Sequence, residues 1–155
     1  IKLNIKNIEK TITAELPVHP DYPERGNRSH VLEPSEGVIC LNLSKNDLDK
    51  IKKDKLVRLM GIANIKITSI SDEIEAEYHS EDYQIARDEN APFLNWLPYG
   101  EGVEAKVVMS DASEAIGLAE ASIQEMKPDA MFQFERFGYC RVESNKPFTA
   151  YFTHK

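Results

Sequence analysis

Cysteine, histidine and long apolar runs are all scarce in this 155-residue chain, and each shortage excludes a class of protein. The two cysteines, Cys40 and Cys140, stand 100 residues apart with no cysteine or histidine nearby at metal-ligand spacing. This favours two reduced core thiols over a disulfide scaffold or a zinc site. The four histidines form neither a close pair nor an HExxH motif, and no apolar run approaches the roughly 20 residues of a membrane span. The sequence therefore predicts neither a metal centre nor a membrane protein.

A targeting segment is also missing, since the chain begins with Ile1 and shows no charged-then-apolar start. This pattern predicts a piece of a larger protein rather than a secreted precursor. Together with the reduced thiols it predicts a cytoplasmic location. The length allows one domain, or two small ones that share strands.

Positive charge is in deficit over the whole chain, which has a net charge of −7. This excess of negative charge argues against non-specific binding of nucleic acid, because such binding depends on cationic side chains that replace the counterions of phosphates. The charges are unevenly divided, however. The run "DEIEAEYHSED" (72–82) holds six acidic residues and no lysine or arginine, whereas residues 44–66 carry a net +4. Two interpretations stay open: a solvated face beside a surface helix, or one acidic and one basic contact patch.

Most of the sequence has the composition and alternation of β-strands. In "IKLNIKN" (1–7), for example, Ile1, Leu3 and Ile5 alternate with polar residues. Nine further segments have a strand pattern: "TITAEL" (11–16), "GVICLNLS" (37–44), "VRLMGIANIKITSI" (57–70), "EIEAEY" (73–78), "FLNWLP" (93–98), "VEAKVVM" (103–109), "AIGLAE" (115–120), "MFQFERFGYCRVES" (131–144) and "FTAYFTHK" (148–155). Ten short strands with turns between them predict a mainly β fold of closed or nearly closed antiparallel barrels.

Helices are expected to be few and short. "SKNDLDKIKK" (44–53) begins with Ser44 as a possible N-cap and predicts about two turns. "SDASEAIGLAEAS" (110–122) is a weaker helix candidate because it contains Gly117, and it overlaps one of the strand candidates. The segment "LPVHPDYPERGNR" (16–28) holds three prolines and a glycine, which predicts a fixed surface loop.

No catalytic motif is present. The sequence has no GxSxG, no glycine-rich phosphate loop and no CxxC. The neighbouring carboxylates Glu73 and Glu75 lie in a charged run, where solvation explains them better than acid–base chemistry. Catalysis by this chain alone is therefore not expected.

Binding of a ligand is better supported, because Arg58 in "LVRLM" and Arg136 in "FQFERFGY" both stand in apolar segments predicted as strands. A guanidinium there needs a carboxylate or a ligand to satisfy its five donors. Gln133 can read a base edge, and the rings of Phe132, Phe134, Phe137 and Tyr139 can stack on an unpaired base. The alternative is an internal bridge between Arg136 and an acid such as Glu135, with the aromatic residues in the core.

Five motifs in register carry a family resemblance: "HPDYPERGNR" (19–28), "VRLMGIANIKI" (57–67), "NWLP" (95–98), "FQFERFGYCRV" (132–142) and "YFTHK" (151–155). In this order they resemble the C-terminal anticodon-binding domain of archaeal-type glutamyl-tRNA synthetases, which are related to the glutaminyl-tRNA synthetases. The resemblance covers nearly the whole chain. It implies that residues 1–155 form an anticodon-binding region of two intertwined, strand-exchanged β-barrels, proximal and distal, as in a ribosomal 5S-RNA-binding protein.

The resemblance also implies roles for individual residues. Gln133 and Arg136 match the family residues that hold the middle anticodon base, a uridine, while Arg58 matches an arginine at the first base. Lys50 falls where the glutaminyl enzymes use an arginine at the third base, and Arg28 closes the first motif and is included among the RNA-binding candidates. Met60 replaces a second family arginine, so recognition of the first and third bases is not carried over.

The implied parent protein is a glutamate–tRNA ligase that uses ATP with magnesium in a catalytic domain outside this chain, because no HIGH-like or KMSKS-like motif is present. No cofactor is expected in the chain itself. The expected partner is the tRNA for glutamate and, in organisms without a glutaminyl enzyme, also that for glutamine. Three alternatives remain open: the corresponding domain of a glutaminyl-tRNA synthetase, a protein-interaction module that uses the acidic strand, and a ribosomal-RNA binder of the same barrel class.

Overall fold

β-strands dominate the computed structural model, which describes residues 1–19 and 22–155. The strands are β1 (Lys2–Lys6), β2 (Ile12–Pro17), β3 (Asn27–Leu32), β4 (Ile39–Leu43), β5 (Leu56–Leu59), β6 (Asn64–Ile70), β7 (Ile74–Ser80), β8 (Phe93–Leu94), β9 (Trp96–Pro98), β10 (Val103–Val108), β11 (Glu114–Ala119), β12 (Met131–Phe134), β13 (Gly138–Asn145) and β14 (Phe148–His154). The helices are α1 (Tyr83–Asp88) and the 3₁₀ segments Pro23–Arg25, Lys45–Lys50 and Ala121–Glu125. The predicted mainly β fold is confirmed.

The chain divides into two compact units, Ile1–Tyr99 and Gly100–Lys155. In the first, seven strands form one sheet in the order β8-β5-β6-β7-β1-β4-β9. The two edge strands of this order are neighbours in the chain, separated only by Asn95. The sheet must therefore curl until its edges approach each other, which gives a nearly closed barrel.

Alternating apolar residues explain why these strands share one core. Leu3 and Ile5 of β1, and Ile65 and Ile67 of β6, are almost completely buried, while intervening positions such as Lys66 remain exposed. β1 pairs in parallel with β7 and antiparallel with β4, so it is an interior strand of the sheet. A parallel pair requires a long crossover, which the chain between β1 and β7 provides.

A separate two-stranded hairpin, β2–β3, completes the first unit. The predicted surface loop 16–28 is shorter than expected, because Leu16 and Pro17 belong to β2 and Asn27 and Arg28 belong to β3. At Gly61, which has φ +70°, an added Cβ would lie 2.5 Å from Leu16 Cδ2 of the hairpin. The break predicted in the segment 57–70 is thus a tight turn between β5 and β6 that only glycine fits without strain.

The second unit is a five-stranded sheet in the order β11-β10-β14-β13-β12, with β10 and β14 parallel. Its core contains the buried residues Ala105, Val107, Ala119, Ile123, Cys140, Val142, Phe148 and Ala150. Burial raises the pKa of the Cys140 thiol to about 11. Both cysteines are free; Cys40 is only half-buried.

Two details differ from the sequence-based expectations. The helix candidate 110–122 is wrong: pairing with β10 in a six-residue register makes Glu114–Ala119 a strand, as the overlapping strand pattern predicted. Conversely, α1 was missed because it spans only six residues and buries only Ala86.

The predicted helix at 44–53 is present as a shorter 3₁₀ segment, Lys45–Lys50. Its N-cap is Ser44, as predicted, and the Ser44 hydroxyl accepts a hydrogen bond from the backbone N–H of Asn46 at 3.3 Å. Across the described parts of the chain, no helix is long and apolar enough to span a bilayer.

Candidate nucleic-acid interface

The segment Met131–Ser144, predicted as one strand, is a hairpin. β12 and β13 pair antiparallel, and residues 135–137 form the turn between them. Arg136 is therefore not embedded in a strand, which corrects the sequence-based interpretation. The turn was missed because Phe137 resumes the aromatic pattern directly after Glu135 and Arg136, the two consecutive polar residues that mark the turn.

The turn has a defined geometry that presents Arg136 to solvent. The Phe137 N–H donates to the Phe134 carbonyl at 3.0 Å, and Arg136 has φ +62°, in the left-handed region. The next residue, Gly138, has φ +148°, and an added Cβ would lie 2.8 Å from the His154 carbonyl oxygen. The close passage of β14 beside Gly138 thus fixes where the hairpin turns, and Arg136 is exposed at its tip.

Gln133 lies on the outward face of the same hairpin. It is exposed and stands directly opposite Tyr139 in the β12–β13 register. Phe132, Phe134 and Phe137 instead pack against the core of the second unit. Of the four rings expected as stacking candidates, only Tyr139 therefore shares the face of Gln133. Glu135, the acid considered as an internal partner of Arg136, is exposed in the turn.

Arg58 lies on β5 and is half-buried, because it holds the segment that precedes α1. Its Nη1 donates to the Glu81 carbonyl at 2.9 Å and to Asn64 Oδ1 at 3.3 Å. Asn64 is fully buried and donates from Nδ2 to Asp82 O at 2.7 Å and to Ser80 Oγ at 2.9 Å. The arginine is thus positioned by a buried amide.

Sequence reasoning missed Asn64. Its signal was a carboxamide directly before the apolar, β-branched run of β6, where a strand would normally bury an apolar side chain. A buried side-chain amide normally has hydrogen-bond partners for its donors and its acceptor. An asparagine at this position could therefore have been recognised as part of a buried polar network.

Lys50 and Arg28 occupy two other segments of the first unit. Lys50 ends the 3₁₀ helix and forms an ion pair with Asp47, whose side chain is only 11% exposed. This pairing neutralises a nearly buried carboxylate. Arg28 is half-buried on β3, opposite Leu16. Residues 20 and 21 of the first motif lie outside the described residues.

Three of the six acidic residues of the run 72–82 form ion pairs within the chain. Lys6 lies 2.8 Å from Glu75, Lys2 3.3 Å from Glu73, and Lys10 2.7 Å from Glu81. Asn4 on β1 donates from Nδ2 to both Glu73 and Glu75 at 2.7 and 2.8 Å. The parallel β1–β7 pairing creates this arrangement, and it gives no support to an acidic docking strand.

These contacts also explain the titration of the acidic run. The hydrogen bond from Asn4 lowers the pKa of Glu73, and that from Lys6 lowers the pKa of Glu75. The pKa of Lys6 is raised in return by its hydrogen bond to Glu75. The shifts belong to surface ion pairs and do not mark an acid–base site.

Comparison with known proteins agrees with the family resemblance that the hairpin's motif helped to establish. A family model described as "tRNA synthetases class I (E and Q), anti-codon binding domain" matches residues 1–83, and a second with the same description matches residues 93–143. The chain belongs to this family. The two matches together include all five proposed site residues.

Similar curated proteins come from archaea and are named glutamate–tRNA ligase. That of Methanopyrus kandleri is 34% identical over 144 residues, covering 92% of this chain and 25% of the relative. That of Methanocaldococcus jannaschii is 33% identical over 156 residues, covering 99% and 27%. That of Thermococcus kodakarensis is 38% identical over 149 residues, covering 92% and 25%. The chain thus spans about a quarter of the length of these relatives.

Proposed function

We propose that this chain binds the anticodon loop of the tRNA for glutamate and works as the anticodon-binding part of a glutamate–tRNA ligase. Gln133 and Arg136 read the middle uridine, and Arg58, Lys50 and Arg28 contribute RNA contacts from the first unit. The parent enzyme uses ATP with magnesium in its catalytic part to attach glutamate, in the cytoplasm, where translation takes place. Family membership and the names of the relatives support this proposal.

The observation that carries the base-reading role is the hairpin tip. Gln133 offers an amide that both donates and accepts, and Arg136, three residues on, offers a guanidinium from a turn of fixed geometry. Both side chains are exposed while the other face of the hairpin is anchored in a core. Single-stranded RNA is read by such groups, which reach the edges of unstacked bases.

The test measures binding of the 155-residue chain to two transcripts at low salt: glutamate tRNA, and the same tRNA with cytidine at the middle anticodon position. We expect tighter binding to the first. Gln133→Ala and Arg136→Ala should each weaken that binding by roughly 1–3 kcal/mol, the scale of a base-directed contact, and reduce the discrimination between the transcripts. In the full-length enzyme, Arg136→Ala should slow tRNA charging without affecting ATP or glutamate binding.

Gln124→Ala is the matched control, because Gln124 is an exposed glutamine of the same unit on a 3₁₀ helix away from the hairpin turn. It should leave both affinities unchanged. Equal affinity of the wild-type chain for the two transcripts would overturn the base-reading role, and absence of any tRNA binding would overturn the function.

A further inference from the structure

Strands β12, β13 and β14 bring Gln133, Tyr139 and His154 into one row across the sheet. Gln133 stands opposite Tyr139, and Tyr139 stands opposite His154. Side chains directly opposite in antiparallel strands point to the same side, with Cβ atoms about 4.5–5.5 Å apart. The proposed base reader is therefore the immediate neighbour of two rings.

The two rings form an ordered stack. Their centroids are 4.7 Å apart and their planes are inclined by only 16°. The Thr153 hydroxyl donates to the Tyr139 carbonyl at 3.0 Å and lies 3.1 Å from His154 Nδ1, so the end of β14 holds the histidine beside the tyrosine. His154 is exposed and Tyr139 is half-buried.

The neighbouring row has similar chemistry. Met131 stands opposite Arg141, and Arg141 stands opposite Tyr151. The Arg141 guanidinium lies 5.7 Å from the centre of the Tyr151 ring and also pairs with Asp129. Met131 and Tyr151 are 54% and 40% exposed.

This face is unusual for the wet side of a sheet. The six residues of its two rows include no carboxylate, in a chain of net charge −7, and the rings of Tyr151 and His154 are exposed. An RNA base has a π-face that stacks on such rings whatever its identity, and an arginine near the stack suits the adjoining phosphate. The ring pair is continuous with the amide proposed to read the middle base, which points to the same RNA loop as its occupant.

We propose that the Tyr139–His154 ring pair stacks the anticodon-loop base next to the one read by Gln133. This inference rests on the proposed function and assigns to the second unit a sequence-independent contact beside the sequence-reading one. Tyr139 contributes affinity that is the same for either middle base, whereas Gln133 contributes discrimination.

The experiment compares Tyr139→Leu, Tyr139→Phe and His154→Leu in the full chain, using the same two tRNA transcripts. Tyr139→Leu should weaken binding to both transcripts by about 5- to 150-fold, the effect of losing one stacked base. Tyr139→Phe retains the ring and should bind like the wild type. Tyr99→Leu is the control, since Tyr99 is an exposed tyrosine (54%) of the first unit.

A direct readout of stacking is the fluorescence of 2-aminopurine placed beside the middle anticodon base. Binding of the wild-type chain should quench it, and Tyr139→Leu should remove the quenching. His154→Leu, at an exposed position near the end of β14, should reduce the quenching even if Tyr139→Leu does not fold. The stacking proposal alone would be overturned if both variants kept the wild-type affinity and quenching while Gln133→Ala still lowered the discrimination between the transcripts. If Gln133→Ala also has no effect, the base-reading proposal fails as well.

Discussion

Asn64→Ala should be among the most damaging single substitutions in the first unit, although it removes only an amide. Asn64 is fully buried, and its side chain connects Arg58, Ser80 and Asp82 through three hydrogen bonds. Alanine provides neither donor nor acceptor. The substitution therefore removes one hydrogen bond from each of the three neighbouring groups.

The magnitude follows from what each partner loses. The Asp82 carbonyl loses a 2.7 Å bond from an amide that has no exposed surface, and this loss costs about 1–3 kcal/mol, depending on how far water replaces the amide. The Ser80 hydroxyl keeps its 2.9 Å contact with His79 Nδ1, so its loss is near the ordinary net value of about 1 kcal/mol. The longer bond from Arg58 adds little. The expected destabilisation is about 3 kcal/mol, or roughly 10–25 °C in Tm for a domain of this size.

Trp96 provides the assay. It is the chain's single tryptophan and lies in the core of the first unit, where its Nε1 donates to the Met60 carbonyl at 2.7 Å. Its fluorescence therefore follows the unfolding of that unit in urea. Asn46→Ala is the matched control, because Asn46 is exposed on a 3₁₀ helix, and it should change the free energy of unfolding by less than about 0.5 kcal/mol. A loss below about 1 kcal/mol for Asn64→Ala would refute the network as a source of stability.

Two further predictions concern a glycine of the second unit and the paired glutamates. Gly138→Ala should destabilise that unit by about 2–4 kcal/mol, because the added Cβ meets Phe152 and backbone at a strained φ. Gly117→Ala is the control, since an added Cβ there has no atom within 4 Å. It should be neutral or stabilising by up to about 1 kcal/mol in thermal melts. The lowered pKa values of Glu73 and Glu75 stabilise the fold above their ordinary pKa of 4.5, and that contribution should disappear as the pH falls through the lowered folded values. Urea midpoints measured across this range should show the loss, and the double variant Glu73→Gln, Glu75→Gln should have a flatter profile.

The strands were predictable because their cause is local. Alternation of apolar residues, as in Leu3 and Ile5, is visible in the sequence and matches the burial seen in β1. The same local signal could not reveal the closure of the barrel, which depends on β8 and β9 lying at opposite edges of one sheet. Nor could it reveal the Lys6–Glu75 ion pair, since a parallel pairing across some 70 residues leaves no periodic trace.

The candidate site was only partly predictable for a related reason. Gln133 and Arg136 were found through the motif, but their settings differ: one lies on a strand and the other in a turn. The pattern of aromatic residues did not distinguish the stacking candidate from the core, because the turn at residues 135–137 shifts the phase of the alternation. Only the register showed that Tyr139, and not Phe137, shares the face of Gln133.

The two faces of the hairpin differ in burial, and the proposed recognition residues lie on the outward one. Phe132 and Cys140 are cross-strand partners on the inward side and belong to the core, whereas Gln133 and Tyr139 are partners on the outward side. Substitutions on the inward face should therefore change tRNA binding only as far as they unfold the unit, whereas Gln133→Ala, at an exposed outward position, should change binding without changing the melting temperature. Because the strand period is two, a slip of one residue in the β12–β13 register would exchange these roles completely. The close fit of Gly138 against β14 holds β13 beside its other neighbour, so the proposed base-reading face depends on a contact inside the protein.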